Sequence, residues 1–330
     1  MAAIRDEDED MGSASDINIT PRGAKLRRQS CPFVAQGIRD RTDAATDHVP
    51  IAPKAHGQQI AHGGRVGLRL VVRLRLHLGG LDRWLTTNRD RLPDPLALAA
   101  AEVCVGFSGR REGQAALRDA LHLTRPGDHP GPAGVIFGQW SRAVARPISV
   151  AHLGKAMDGV SAERVALCLD AMGSNPVDRA AGVIEAVLAD LPRGETTALI
   201  LADAVLAKSV AREHILPLIS LGLKPRELRL RGDALRLACH RAVVAGAGQA
   251  VSLAADLIRR AARLQAVVPQ LRAKGADRAV DLFLTRDALA PGALAAFMSD
   301  RAARRLCDRL VDLGAVRELT GRDSFRLYGV

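Results

Sequence analysis

Aromatic residues make up only 3% of this 330-residue chain, with two tryptophans and one tyrosine. A core so poor in rings has to be filled with Leu, Val and Ala, and interiors of that kind favour helices. Cysteine is almost as sparse. Cys31, Cys104, Cys168, Cys239 and Cys307 are odd in number, far apart and without a CxxC pair. That excludes a disulfide framework and suits reduced thiols packed as small hydrophobes in a cytoplasmic protein. The chain has no P-loop, HExxH pair, nucleophile elbow or dinucleotide fingerprint, so no catalytic residue, metal or cofactor is assigned. His48, His56 and His62 have no Cys or carboxylate at ligand spacing beside them and read as part of a solvated tail. The longest helix-like uncharged run, about Ala242 to Ala255, is too short to span a bilayer. The chain opens with Arg5 and then the acidic run Asp6 to Asp10, the reverse of a signal peptide. No membrane partner is expected.

What is present is apolar and basic. Hydrophobic residues reach 48%, enough for a sizeable core, and the net charge is +11 with a pI near 10.3. Such a balance invites a nucleic-acid partner. However, arginine outnumbers lysine 41 to 6 and the excess is spread along the chain, as a GC-rich coding sequence would produce. A local cluster is therefore worth more than the total.

Composition divides the chain in three. Residues 1–64 lack a sustained apolar period and read as a disordered tail. From Arg65 to Leu78 apolar and basic residues alternate, the period of a strand with no partner strand nearby. Residues 1–80 are thus expected to lie outside the folded core, as a tail or as non-native coding sequence. From Leu81 onward the pattern is helical. Helices are expected at Leu92–Phe107, Glu112–Leu123, Ala133–Val144, Ser161–Met172, Val177–Leu191, Glu195–Ala211, Gly232–Ala245 and Gln249–Gln270. Gly246-Ala247-Gly248 is the expected break between the last two. The fold class is all-α: an irregular helical bundle over 81–268, followed by a distinct module over 270–330.

The C-terminal module is the most legible part. Ser299 is a good N-cap for a helix Asp300–Leu313, whose Ala303, Leu306, Cys307, Leu310 and Leu313 share one face. Gly314 stands where a left-handed C-cap belongs. Val316, Leu319, Phe325, Leu327 and Tyr328 fit two short strands around a turn at Thr320–Asp323. With Ala276–Leu284 and Pro291–Ala296 as earlier helices, the expected module is a winged helix-turn-helix. Arg301, Arg304 and Arg305 would face bases or phosphates of double-stranded DNA, and Arg322 and Arg326 would steady the wing. The alternative for this face is contact with a protein partner.

The densest polar cluster of the body holds Arg118, Asp119, His122, Arg125 and Asp128. Arg118 and His122 lie four apart and share a helix face. Asp119 and Asp128 could orient His122 as a general base, or Arg118 and Arg125 could clamp an anion. The plainer reading is a helix end whose charges satisfy a loop. Asp203 and Asp256 are single acids among small apolar residues, expected to pair with arginines.

Four stretches carry a resemblance: GRREGQAALRDALHLTRPGDHPGPAG at 109–134, LILADAVLA at 199–207, LRAKGADRAV at 271–280, and the final SDRAARRLCDRLVDLGAVRELTGRDSFRLYGV. In them the chain resembles a bacterial family, domain of unknown function 1403, over about 81–330, while residues 1–80 look unlike it. The resemblance implies no established activity, catalytic residue or cofactor. The expected function is a non-enzymatic DNA-associated or regulatory protein. A protein-interaction scaffold, or an enzyme with its site around Arg118, His122 and Asp128, are the alternatives.

Overall fold

The chain folds around a helix that is buried on every side. In the computed structural model, which describes residues 93–330 apart from Pro126, Arg322 and Asp323, Glu195–Ser209 runs through the middle of a helical bundle and is α7. Every residue from Ala198 to Ala207 is buried, Asp203 included. Its predecessors are α1 (Pro93–Phe107), α2 (Gln114–His122), α3 (Gly131–Val144), α4 (Val150–Ala156), α5 (Ala162–Leu169) and α6 (Pro176–Asp190). It is followed by α8 (Leu218–Gly222), α9 (Gly232–Val267), α10 (Ala276–Thr285) and α11 (Asp300–Asp312). Helices α1, α3, α5, α6 and α8 all pack on α7. The fold class is all-α, and among the described residues the only strands are two dipeptides near the C-terminus. The earliest segments of the sequence reading, the tail 1–64 and the alternating Arg65–Leu78, lie outside the described residues.

Local chemistry explains most helix starts. Asn175 accepts from the backbone N–H groups of Val177 and Asp178, with Pro176 at the first helical position of α6. Ser149, Ser161 and Ser299 each accept from an N–H three residues on. The core is made of Ala, Leu, Val and Ile, as the lack of aromatics requires, with Phe137 and Trp140 as its large rings. Trp140 donates its indole N–H to the Cys104 sulfur at 3.2 Å. The four described cysteines are free and buried. Burial pushes the thiols of Cys104, Cys239 and Cys307 up to about 12, so they stay protonated and inert as nucleophiles at neutral pH.

The expected break at Gly246-Ala247-Gly248 is absent. Gly232–Val267 is one continuous helix of 36 residues. Gly246 is there for contact: a Cβ at this position would fall on the Leu218 carbonyl, and one on Gly222 would fall on the Ala242 carbonyl. The two glycines let α8 lie against α9 backbone to backbone. Together with its 3₁₀ extension, Gly232–Gln270 is long and apolar enough by length and composition to cross a membrane. Along one face Leu235, Ala238, Cys239, Val243, Ala250 and Ala254 belong to the main core, and Leu264 and Val267 to a second cluster, while Leu237 and Ile258 are exposed.

That second cluster is built from α10, α11 and the C-terminal strands. It unites Leu264, Val267, Val280, Phe283, Leu289, Leu294, Leu306, Leu310 and Tyr328. Strands β1 (Arg317–Glu318) and β2 (Tyr328–Gly329) pair antiparallel, with Arg317 opposite Gly329 and Glu318 opposite Tyr328. Leu289 bridges Tyr328 from the other side through hydrogen bonds of 2.8 and 2.9 Å. Between Leu289 and α11 the chain makes a 3₁₀ turn, Pro291–Leu294. Gly314 takes φ +62°, the left-handed conformation expected of it. Phe325, expected in a strand, is instead 75% exposed in the turn.

Leu310 is fully buried in this cluster. Its replacement by Ala in the full chain should lower stability by about 2–5 kcal/mol, read as a shift in a denaturant midpoint. A fragment of residues 270–330 is a poor host for that measurement, since it would lack Leu264 and Val267, which complete the cluster.

Candidate nucleic-acid interface

Helix α11 presents its charged side outward because its apolar spacing leaves it no alternative. Ala303, Leu306, Cys307 and Leu310 are buried, while Arg301, Arg304, Arg305, Asp308 and Arg309 are exposed. The helix packs against the turn Pro291–Leu294 and β1, and its outer face carries the arginines. Arg304 pairs with Asp300 at 2.8 Å, one turn earlier, and the Arg305 Nε–H donates to the Arg301 carbonyl at 3.4 Å. An exposed pair of this kind is worth little and exchanges readily for another anion.

Beside α11 runs a groove of about 950 Å³. One wall is α11, with Arg305 and Arg309; the other is the connection between α9 and α10, with Arg272 and Lys274. Leu271, Phe297, Met298 and Leu306 contribute its apolar floor. No acidic residue lines it. Arg272 and Lys274 were not singled out by charge in the sequence, because four arginines in one helix stand out and two cations in a loop do not. Their significance depends on the fold laying that loop along α11. Arg301 and Arg304 lie outside the groove, on the adjoining exposed face.

The two arginines expected on the C-terminal hairpin fare differently. Arg322 lies outside the described residues. Arg326 is half-buried and engaged locally. It stands 3.8 Å from Glu318, and a hydrogen bond with Tyr328 together with the Glu318 charge raises its pKa further.

The polar cluster of the body is rearranged relative to expectation. Arg118 grips Asp287, two residues past the end of α10, through two hydrogen bonds of 2.5 and 2.9 Å. Both side chains are largely buried, at 15% and 7% exposure. Arg118 is therefore no open anion clamp: it already holds a carboxylate from the C-terminal part of the chain. His122, although more than a third exposed, has its pKa lowered, first by packing around the ring, then by Arg118 and Arg286, with Asp287 opposing. The carboxylate that acts on His122 is thus Asp287 rather than Asp128. Arg125 and Asp128 are exposed in the following loop, where the Asp128 N–H donates to the Arg125 carbonyl, and Asp119 is half-buried. A 270 Å³ pocket beside Asp287 and Arg286 has mostly apolar walls, and Arg118, His122 and Asp128 do not line it.

Asp256 pairs with Arg259 and Arg260 as expected. Asp203 pairs with no arginine among the described residues. It accepts from the N–H groups of Ile219 and Ser220 and from the Ser220 hydroxyl, and so holds the start of α8. Among the described residues no group of three His, Cys, Asp or Glu is placed to hold a metal ion.

A bundle of helices with a basic groove at its C-terminal end defines the class only broadly. Residues 68–330 match the family described as a protein of unknown function, DUF1403, and the chain belongs to that family. The match opens at Leu68, inside the alternating Arg65–Leu78 stretch, so the expectation that all of residues 1–80 stand apart from the family is corrected for residues 68–80. No curated protein matches the chain.

Proposed function

We propose that this chain is a non-enzymatic, DNA-associated or regulatory protein of the bacterial cytoplasm that binds double-stranded DNA through a C-terminal winged helix. The order α10, Leu289 bridge, 3₁₀ turn, α11, β1, β2 supports the winged-helix part, since it places a small antiparallel sheet behind an exposed helix. The observation that carries the DNA reading is the gathering of Arg272, Lys274, Arg305 and Arg309 around one groove with no acid in its lining. Cations collected in this way displace the counterions of a phosphate backbone, which is the main source of non-specific DNA affinity. Arg301, Arg304 and Arg305 occupy the N-terminal half of α11, the end that reaches base edges when a helix-turn-helix docks. The face of α9 that enters both cores supports a structural role for that helix inside the fold.

The test is a gel shift of genomic fragments at two salt concentrations. Replacing Arg301, Arg304 and Arg305 with Ala should weaken binding and flatten the salt slope by up to about three phosphate contacts. Parent-like binding by the triple variant, or no binding by the parent, defeats the proposal. A protein-interaction scaffold is the second reading, favoured by the exposed ring of Phe325. An enzyme around Arg118, His122 and Asp128 draws less support, because Asp287 already occupies the Arg118 guanidinium.

A further inference from the structure

We infer that the groove between α11 and the α9–α10 connection is the seat of a duplex phosphate backbone, with Arg272 and Lys274 as contacts separate from the arginines of α11. The inference rests on the DNA reading above and adds a second, sequence-independent arm to it. Three observations carry it. First, Arg272 and Lys274 are exposed, and no ion pair or hydrogen bond among the described residues engages their side chains, so their charge is available to a ligand.

Second, the loop that bears them is fixed. Leu271 N–H donates to the Val268 carbonyl and Ala276 N–H to the Ala273 carbonyl, each at 3.0 Å. Gly275 takes φ +87°, and a Cβ there would stand 2.9 Å from the Phe297 ring. The two cations are thus held opposite α11 before any ligand arrives, which spares the ordering cost of a flexible basic tail.

Third, the positive surface does not end with the groove. It continues onto exposed Arg301, beside Arg304 whose charge Asp300 already shares, which makes five cations unshared among the described residues, more than a single acidic side chain needs and suited to a repeating charge. Single-stranded nucleic acid fits less well, because that mode relies on bases stacking on open aromatic faces. Phe297 is half-buried and already faces Arg278, whose guanidinium carbon is 6.0 Å from the ring centroid.

The experiment measures affinity of the full-length chain for a mixed-sequence duplex across a salt series. The variants are Arg272→Ala/Lys274→Ala, the α11 triple alanine variant, and a control pair, Arg193→Ala/Arg229→Ala, on the helical body. The loop pair should lower the slope of log affinity against log salt by about 1.8, two phosphates' worth, with sequence preference unchanged. The control pair should leave the slope as in the parent. If the parent and the loop pair share one slope while the triple variant loses affinity, duplex docks on α11 alone and the groove inference is wrong. If the control pair lowers the slope as much as the loop pair, the effect is general charge and the inference is again wrong. If the parent binds no duplex but binds an acidic polypeptide such as polyglutamate, both the DNA reading and its groove arm fall.

Discussion

Asp203→Ala is expected to lower the unfolding free energy by about 3–5 kcal/mol, because it strands three buried donors at once. The N–H groups of Ile219 and Ser220 and the Ser220 hydroxyl all give their hydrogens to this one carboxyl. Helix α8 has five residues and cannot hold its own first turn without that acceptor. It also supplies the carbonyl that meets Gly246, so its loss would loosen the α8–α9 contact as well. The same group should give the protein a pH dependence. Burial outweighs the hydrogen bonds from Ser220 and from the backbone of Leu218, Ile219 and Ser220, and pushes the Asp203 carboxyl up from 3.8 to about 7. The folded state then binds a proton that the unfolded state releases. Stability from this group is full below about pH 4 and is lost as pH rises through about 7, by something of order 4 kcal/mol. Asn at this position cannot titrate. Denaturant unfolding of the parent at pH 5 and pH 8 should differ in the direction stated, and the difference should shrink in Asp203→Asn. A parent whose stability rises over that interval by the same amount as the Asn variant's would overturn the assignment.

The parts of the fold that were legible in the sequence are those decided within one or two turns of chain. Ser299, the apolar face of α11 and Gly314 are local signals, and each has the role its spacing suggests. The same holds for the Asn175-Pro176 start of α6. What the sequence hid was decided by partners far away. Gly246 looks like a helix breaker until the Leu218 carbonyl is seen where its side chain would be. Asp203 carries a charge that suggests arginine, yet its partners are backbone groups that no residue type announces. Helix α8 is too short to display a period. At the candidate interface the α11 arginines could be read directly, whereas Arg272 and Lys274 gain meaning only because the α9–α10 connection lies along α11.

The basic face also shows why the overall charge of +11 was an uncertain guide. Helix α11 carries acids among its arginines, and Arg304 is already paired to Asp300. A phosphate would have to compete with those carboxylates along the helix, but not in the groove, where no acid stands. On the proposed DNA reading, the groove should contribute more to salt-dependent affinity than its four cations would if scattered.

Arg118→Ala is expected to destabilise the chain by about 3–5 kcal/mol, as is usual when one partner of a buried pair is removed and the other stays charged. The pair spans 169 residues, linking α2 to the loop just after α10. Asp287 keeps only 7% of its side chain exposed, so without Arg118 its carboxylate has little water to replace the two lost hydrogen bonds. The double replacement Arg118→Met/Asp287→Leu should recover most of that loss, since an apolar pair leaves no buried charge unmatched. A double-mutant cycle by denaturant unfolding therefore separates a structural clasp from an anion site. His122 supplies an independent readout. Asp287 is the one neighbour that raises its pKa, so Asp287→Asn should let the imidazole fall further below its ordinary value, followed by its NMR titration. Additive losses in the cycle together with an unmoved His122 would mean that the two side chains do not act as a pair, and would return Arg118 to the role of an open anion clamp.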